Sequence, residues 1–284
     1  MRPGKISSAR KLEKAKKQIR LKKLGNADWL SLPRALSRLG FCSRKQALDL
    51  IKSGQVQVNN QTVTEHRLRV NLKTDRIEVA GQPAPSSEKI YLLLNKPRGL
   101  ITTTSDDKGR PTVFECFKQA SLPRIFPVGR LDRASEGLLL FTNDSLWADL
   151  LTRPESELAK TYHVQVRPVP EAESLQKMVA GLKDLKGEWL KAQKVRVLRS
   201  GGKTCWLEVV LTEGKNRQIR RMAEALGLEV LRLVRTEIGN LKLGNLPKGK
   251  WRYLTAEEVS ELACLAGKGL PARAKKAKIK SQEL

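Results

Sequence analysis

One carboxylate in the chain is set for chemistry by its neighbours. In Gly129-Arg130-Leu131-Asp132-Arg133-Ala134-Ser135-Glu136, Asp132 lies between two arginines and ahead of the apolar run Leu138-Leu139-Leu140-Phe141. A carboxylate held beside guanidinium groups stays ionised and can act as a nucleophile toward an anomeric or pyrimidine carbon. The same residue types also fit plain charge balance at a loop, and the sequence leaves both readings open. Glu136 adds a second carboxylate, so a glycosidase-like pair is formally available; it requires one of the two to be an acid of raised pKa.

A second cluster follows at Gly214-Lys215-Asn216-Arg217-Gln218-Ile219-Arg220-Arg221-Met222. Read as a helix, Ile219, Met222, Ala223 and Leu226 form an apolar stripe, and Arg217, Arg220 and Arg221 gather on an adjacent face. Such a helix packs on a core while offering guanidinium groups to phosphate or carboxylate. A merely solvated cationic face is the other reading.

The elements that must position these groups alternate short strands with fewer helices, which predicts an α+β domain with a substantial mixed or antiparallel sheet. Strands are expected at 90–94, 100–103, 138–142, 161–166, 194–198, 205–211 and 230–234. Helices are expected at 112–118, 145–152, 171–181, 216–226 and 255–265, the last opened by the capping box Thr255-Ala256-Glu257-Glu258. No G-x-G-x-x-G or Walker A loop is present, so dinucleotide and nucleoside-triphosphate chemistry have no support.

The chain has 284 residues and a formal net charge of +26, which favours a polyanionic partner. Its hydrophobic fraction of 40% excludes a wholly disordered protein, and its length suggests more than one core. Residues 1–27 carry +9 and residues 266–284 carry +5, leaving +12 for the body. Both ends are Lys-rich with few large apolar groups, and read as flexible arms that add counterion-release affinity for nucleic acid. No apolar run spans a bilayer and no apolar segment follows the cationic N-terminus, so neither a membrane span nor a secretory signal is expected. The four cysteines, Cys42, Cys116, Cys205 and Cys264, are far apart and accompanied by only two histidines. That spacing argues against a metal site and for buried, reduced thiols in a cytoplasmic protein.

Ahead of the Pro/Ser-rich linker at 83–88, residues 28–82 predict a small α/β unit. A helix near 33–39 ends at Gly40; Ser43-Arg44-Lys45-Gln46 fits a capping box that opens a second helix, burying Ala47, Leu48 and Ile51. Val56 and Val58 then alternate with polar residues, Asn59-Asn60 supplies a two-residue turn, and Val63 lies on the returning strand. The run from Gly40 to Ala47, followed by Ile51-Lys52-Ser53-Gly54-Gln55-Val56-Gln57-Val58-Asn59, resembles the S-four-like RNA-binding domain first described in a small-subunit ribosomal protein. The resemblance implies contacts to RNA backbone from Arg44, Lys45 and Lys52. It departs from the family at Pro33, where the opening motif differs, and at the turn, which lacks Gly.

The large domain, 89–265, resembles the ribosomal RNA pseudouridine synthases that carry such an N-terminal domain. The matching pieces are Leu94-Asn95-Lys96-Pro97-Arg98-Gly99-Leu100, Gly129 through Asp132 to Asn143-Asp144, Lys160-Thr161-Tyr162, Glu213 through Met222, and Gly249-Lys250-Trp251-Arg252. Departures are Ala134, Ser145 and Lys215. The resemblance implies isomerisation of a uridine flipped out of its stack to pseudouridine. It makes Asp132 the essential carboxylate, acting at the ribose as nucleophile or base. Tyr162 becomes the aromatic that stacks on the base and shares in proton transfer at carbon 5, and Arg220 the partner that keeps Asp132 ionised. Arg130 and Arg217 fall to phosphate binding or loop shaping. Neither metal nor organic cofactor is implied; the implied partner is ribosomal RNA or a pre-ribosomal particle, met by a monomer. Gly109-Arg110-Pro111-Thr112-Val113-Phe114 leans toward large-subunit RNA. The rival classes are a non-catalytic RNA-binding assembly factor, which leaves Asp132, Tyr162 and Arg220 unexplained, and a methyltransferase, for which the glycine-rich loop is missing.

Overall fold

The computed structural model describes residues 29–83, 88–104 and 106–268. The expected basic arm and the tail beyond 268 lie outside the described residues, as does most of the expected linker. The chain divides into two compact units at 87/88.

In the first unit, α1 (Leu32–Arg38) has a proline in its first turn, where no amide hydrogen is needed. Helix α2 (Arg44–Lys52) opens on the expected capping box: Ser43 Oγ accepts from the Gln46 amide at 3.2 Å, and Gln46 Oε1 accepts from the Ser43 amide at 3.0 Å. Six short strands complete the unit: β1 (Trp29–Ser31), β2 (Val56–Val58), β3 (Gln61–Thr62), β4 (Arg69–Asn71), β5 (Ile77–Val79) and β6 (Gln82–Pro83). Strand β1 pairs with β4, and the others form a sheet in the order β3-β2-β5-β6. Asn59 and Asn60 turn from β2 to β3 with φ of 51° and 64°. Asparagine thus performs the left-handed step for which glycine is usual. Pro83, expected in the linker, instead ends edge strand β6 opposite Glu78, a position that tolerates a missing donor. Leu32, Ala35, Leu36, Ala47, Ile51 and Val56 close the core, while Leu48 is only half-buried.

The second unit is built on a nine-stranded mixed sheet, which confirms the α+β reading. Its strands are β7 (Tyr91–Lys96), β8 (Phe126–Val128), β9 (Glu136–Thr142), β10 (Lys160–Arg167), β13 (Lys194–Ser200), β14 (Cys205–Leu211), β15 (Glu229–Ile238), β16 (Leu241–Lys242) and β17 (Trp251–Tyr253). A separate hairpin pairs β11 (Leu182–Lys183) with β12 (Trp189–Leu190). The main order is β13-β14-β10-β15-β9-β7-β17, with β8 on β9 and β16 on β15. Strand β9 is buried along its whole length. Leu138 and Leu140 face one core, and Leu139 and Phe141 face another, as the two-residue period of a central strand requires.

Four α-helices cover this sheet: α3 (Ser145–Thr152), α4 (Ala172–Ala180), α5 (Gln218–Ala225) and α6 (Ala256–Lys268). Asp144 caps α3 by accepting from the Leu146 and Trp147 amides at 2.9 and 3.3 Å. Helix α5 buries Ile219, Met222 and Ala223 in a core shared with β10, β14 and β15. Helix α6 opens on its expected box, with Thr255 Oγ1 accepting from the Glu258 amide at 3.2 Å, and runs through 266–268, which the sequence reading gave to the tail.

Three further expectations need correction. Residues 100–103 form no strand: Ile101 makes one isolated bridge to Thr112, and Thr102 turns its hydroxyl to the Leu131 carbonyl at 2.7 Å. The expected helix at 112–118 is a single 3-10 segment, Val113–Phe117. Of the four free cysteines, Cys42 and Cys205 are buried, but Cys264 is exposed and Cys116 half-buried.

Candidate active site

Asp132 is carried on the loop between β8 and β9, and that loop is clamped from several directions. Thr102 holds the Leu131 carbonyl, and the buried Lys96 ammonium donates to the Ser135 carbonyl at 2.8 Å and the Pro97 carbonyl at 3.0 Å. Gly99 and Arg133 add two bonds, the Gly99 amide donating to the Arg133 carbonyl at 2.8 Å and Arg133 Nε to the Gly99 carbonyl at 3.2 Å. The Leu94–Leu100 motif therefore works as the support of the Asp132 loop. Burial pushes the Lys96 ammonium down to about 8, against the opposing pull of Glu136 and Asp132.

With its backbone fixed, Asp132 leaves its carboxylate partly open on a cleft of about 700 Å³, a volume suited to a nucleoside-sized group. Arg130, Lys160, Tyr162, Lys215, Arg217 and Arg235 line the same cleft. Lys160 and Tyr162 are two apart on β10 and so share a face. The register against β15 shifts between Thr161 and Tyr162, leaving Thr236 as an extra residue. That bulge brings both Ile238 and Arg235, three positions apart, onto the cleft side. Tyr162 packs against two core clusters at once, which fixes its ring at the cleft wall.

The arginine cluster divides into three roles that its periodicity did not separate. Arg217 Nη1 approaches Asp132 Oδ2 to 3.9 Å. Arg220, expected to pair with Asp132, instead donates to the Val230 carbonyl at 3.2 Å and the Ala134 carbonyl at 3.4 Å. Burial pulls its guanidinium below the usual arginine range, Arg217 and Arg98 act in the same direction, and Asp132 opposes them. Arg220 thus braces the Asp132 loop through its backbone while Arg217 meets the carboxylate. Arg221, expected on RNA, turns away: its Nε donates to Asp184 at 2.7 Å, its Nη2 pairs with Glu188, and its Nη1 donates to the Asn216 carbonyl at 3.1 Å. An arginine so fully paired and only 17% exposed has little left for phosphate.

Glu136 is also corrected. Its side chain is buried and receives Arg232 at 3.2 Å and Lys248 at 2.5 Å. Burial alone would raise this carboxyl, but hydrogen bonds from those two cations outweigh it and hold it below the usual glutamate range. A glycosidase-like acid is therefore not available there. The sequence reading also missed Arg235, a lone charge beyond the expected end of an apolar strand. It is 5% exposed, and its Nε donates to the Leu138 carbonyl at 2.8 Å. Burial, reinforced by Arg235, pushes the Lys160 ammonium down to about 8. In the first unit Arg44, Lys45 and Lys52 are all exposed along α2.

The family model described as RNA pseudouridylate synthase matches residues 90–225, and that of the S4 domain matches residues 31–77. These matches define the class: an RNA-binding unit joined to a uridine-isomerising domain. The chain is 42% identical over 240 residues to ribosomal large subunit pseudouridine synthase B of Bacillus subtilis, covering 84% of this chain and 97% of that one. It is 38% identical over 228 residues to an uncharacterized RNA pseudouridine synthase of Aquifex aeolicus, covering 80% and 91%. A crystal structure of a pseudouridylate synthase, 27% identical, superposes with a TM-score of 0.58 over 82% of this chain and 99% of that one. The chain belongs to the RNA pseudouridine synthase family, and its substrate is RNA.

Proposed function

We propose that the chain converts one uridine of large-subunit ribosomal RNA to pseudouridine, with Asp132 as the catalytic carboxylate. The observation that carries the residue assignment is the meeting of Asp132, Arg217 and Tyr162 in one cleft, with the Asp132 loop clamped behind it. The ribosomal substrate is carried by the name of the Bacillus subtilis relative.

In the reaction the bond from C1′ to N1 breaks, the uracil turns, and C5 bonds to C1′. The C5 proton is lost and N1 gains one, so uridine and product are isomers and the balance needs no co-reactant. Asp132 serves this in one of two ways, by adding to C1′ or by taking the C2′ proton to give a glycal. Both demand a carboxylate aimed at the ribose, and Arg217, 3.9 Å from Asp132 Oδ2, is the cation that faces it. Tyr162 supplies the face on which the base turns and a hydroxyl near the C5 proton. Arg130 and Arg217 flank the cleft mouth where RNA phosphates enter, and Arg44, Lys45 and Lys52 hold flanking RNA. The basic arm 1–27 and the tail add sequence-independent attraction. The protein acts as a monomer in the cytoplasm, where a ribosomal RNA substrate would be met.

Mapping pseudouridines in ribosomal RNA from cells with and without the gene tests this reading. One site in large-subunit RNA should be lost and return when the gene is restored. Loss confined to small-subunit RNA would overturn the subunit assignment, and loss of none would overturn the ribosomal one.

A further inference from the structure

Trp189 exposes 54% of its surface in a chain whose aromatic content is only 5%. It opens β12 in the β11–β12 hairpin, and three sets of contacts hold it in place. Gly181, at the end of α4 with φ of 108°, lies under the indole: a Cβ there would be 2.4 Å from Cζ2, so only glycine admits the ring. The hairpin is also fastened to the loop that walls the cleft. Lys215 Nζ donates to the Trp189 carbonyl at 2.6 Å, and Gln218 Nε2 donates to the Lys191 carbonyl at 3.0 Å. From beneath, Arg221 grips Asp184 and Glu188. Lys215 lines the cleft two positions before Arg217, so its side chain ties the Trp189 backbone to the cleft wall.

The surroundings of the indole select its partner. Lys183, Lys186 and Lys191 are exposed on the same hairpin, and Leu185 is 73% exposed near its tip. The hairpin's two acids, Asp184 and Glu188, are already committed to Arg221. An aromatic face among lysines suits an unpaired nucleotide, whose base stacks while its phosphates meet the ammonium groups. Protein–protein interfaces are depleted of lysine, so three lysines around one aromatic fit a protein partner less well. Flipping a uridine into the cleft also strips its neighbours of a stacking partner, and an exposed indole on a hairpin tied to the cleft wall offers a replacement face.

We infer that the Trp189 indole stacks an unpaired base of the substrate RNA next to the uridine held in the cleft, with Lys183, Lys186 and Lys191 on the adjoining phosphates. This rests on the reading that RNA occupies the cleft. The contact strengthens RNA binding and leaves the chemical step unchanged.

The test uses the full chain and large-subunit ribosomal RNA transcribed in vitro. Trp189→Leu keeps an apolar group over Gly181 but removes the π face; Trp189→Phe keeps a smaller one. In an Asp132→Asn background, Trp189→Leu should raise the Kd for this RNA about tenfold, and Trp189→Phe should recover most of the loss. In the active protein, Trp189→Leu should raise KM by a similar factor with kcat within about twofold. Wild-type affinity in Trp189→Leu, or a loss that Trp189→Phe does not recover, would overturn the proposal. The Kd arm needs no turnover, so failure of this RNA as a substrate would count against the proposed function while leaving the stacking contact decided.

Discussion

Arg217 reaches to 3.9 Å from the Asp132 carboxylate, and it does so from a left-handed backbone conformation, φ 49° and ψ 32°, at the N-cap of α5. A non-glycine residue there costs about 1 kcal/mol or more. The cost is borne at the residue that meets the candidate carboxylate. Arg217→Gly should therefore leave stability equal or raised by up to about 1 kcal/mol, while kcat falls on the order of a hundredfold. Urea denaturation and turnover measured on one preparation check both halves; a loss of stability would contradict the strain argument.

Asp132→Asn removes the charge and keeps the shape. Pseudouridine formation should fall below detection while the Kd for RNA stays within about twofold, because binding is spread over the cationic groups. Residual turnover by the purified variant would remove Asp132 from the chemistry.

Tyr162→Phe keeps the ring and removes the hydroxyl. With the ring held between two core clusters, kcat should drop at nearly constant KM, whereas Tyr162→Leu should raise KM as well. An unaltered kcat in Tyr162→Phe would confine the side chain to stacking.

Gly137 is where β9 runs against β15. Its φ is 102°, and a Cβ would lie 2.3 Å from the Arg235 carbonyl oxygen, a backbone atom that cannot swing away. Gly137→Ala should cost about 3 kcal/mol or more. Thermal melts would show it, and a Tm within a degree of the wild type would refute it.

Lys160 gives a pH signature. Burial, with Arg235 adding to it, lowers this ammonium from 10.5 to about 8 in the folded chain. Between those values the unfolded chain binds a proton here that the folded chain does not, so this lysine makes stability rise with pH across the window. Below the folded value the buried charge is a constant penalty. Lys160→Met should be more stable than the wild type at pH 7, and the difference should shrink as pH rises toward 10. Denaturant midpoints for both proteins at pH 7, 8.5 and 10 check the sign.

Local signals in the sequence were the legible ones. The box at Ser43 and Gln46, the box at Thr255 and Glu258, and strands 138–142 and 205–211 could be read because a few adjacent residues decide them. The division of labour among Arg217, Arg220 and Arg221 was not legible, because each depends on something distant or unperiodic. Arg217 turns on a backbone angle, Arg220 on the Val230 and Ala134 carbonyls, and Arg221 on a hairpin whose strands are two residues long. Lys160 and Arg235 share a face only because of the bulge at Thr236, which shifts the strand period by one. Residues 100–103 carry β-branched residues suited to a strand, but the Leu131 carbonyl took the Thr102 hydroxyl and tied the segment down as a loop.

The joint of β9 with β15 is the one parallel pairing between named strands among the described residues, and it matches Glu136 with Val234. Joining positions about a hundred residues apart makes this closure slow beside the local hairpins. Asp132 precedes that joint on one arm and Arg217 on the other, so the chain reaches competence late in its own assembly. During synthesis a growing chain that has not yet delivered residue 234 carries Asp132 without the joint that follows it, and RNA attraction is ready before the means of altering RNA.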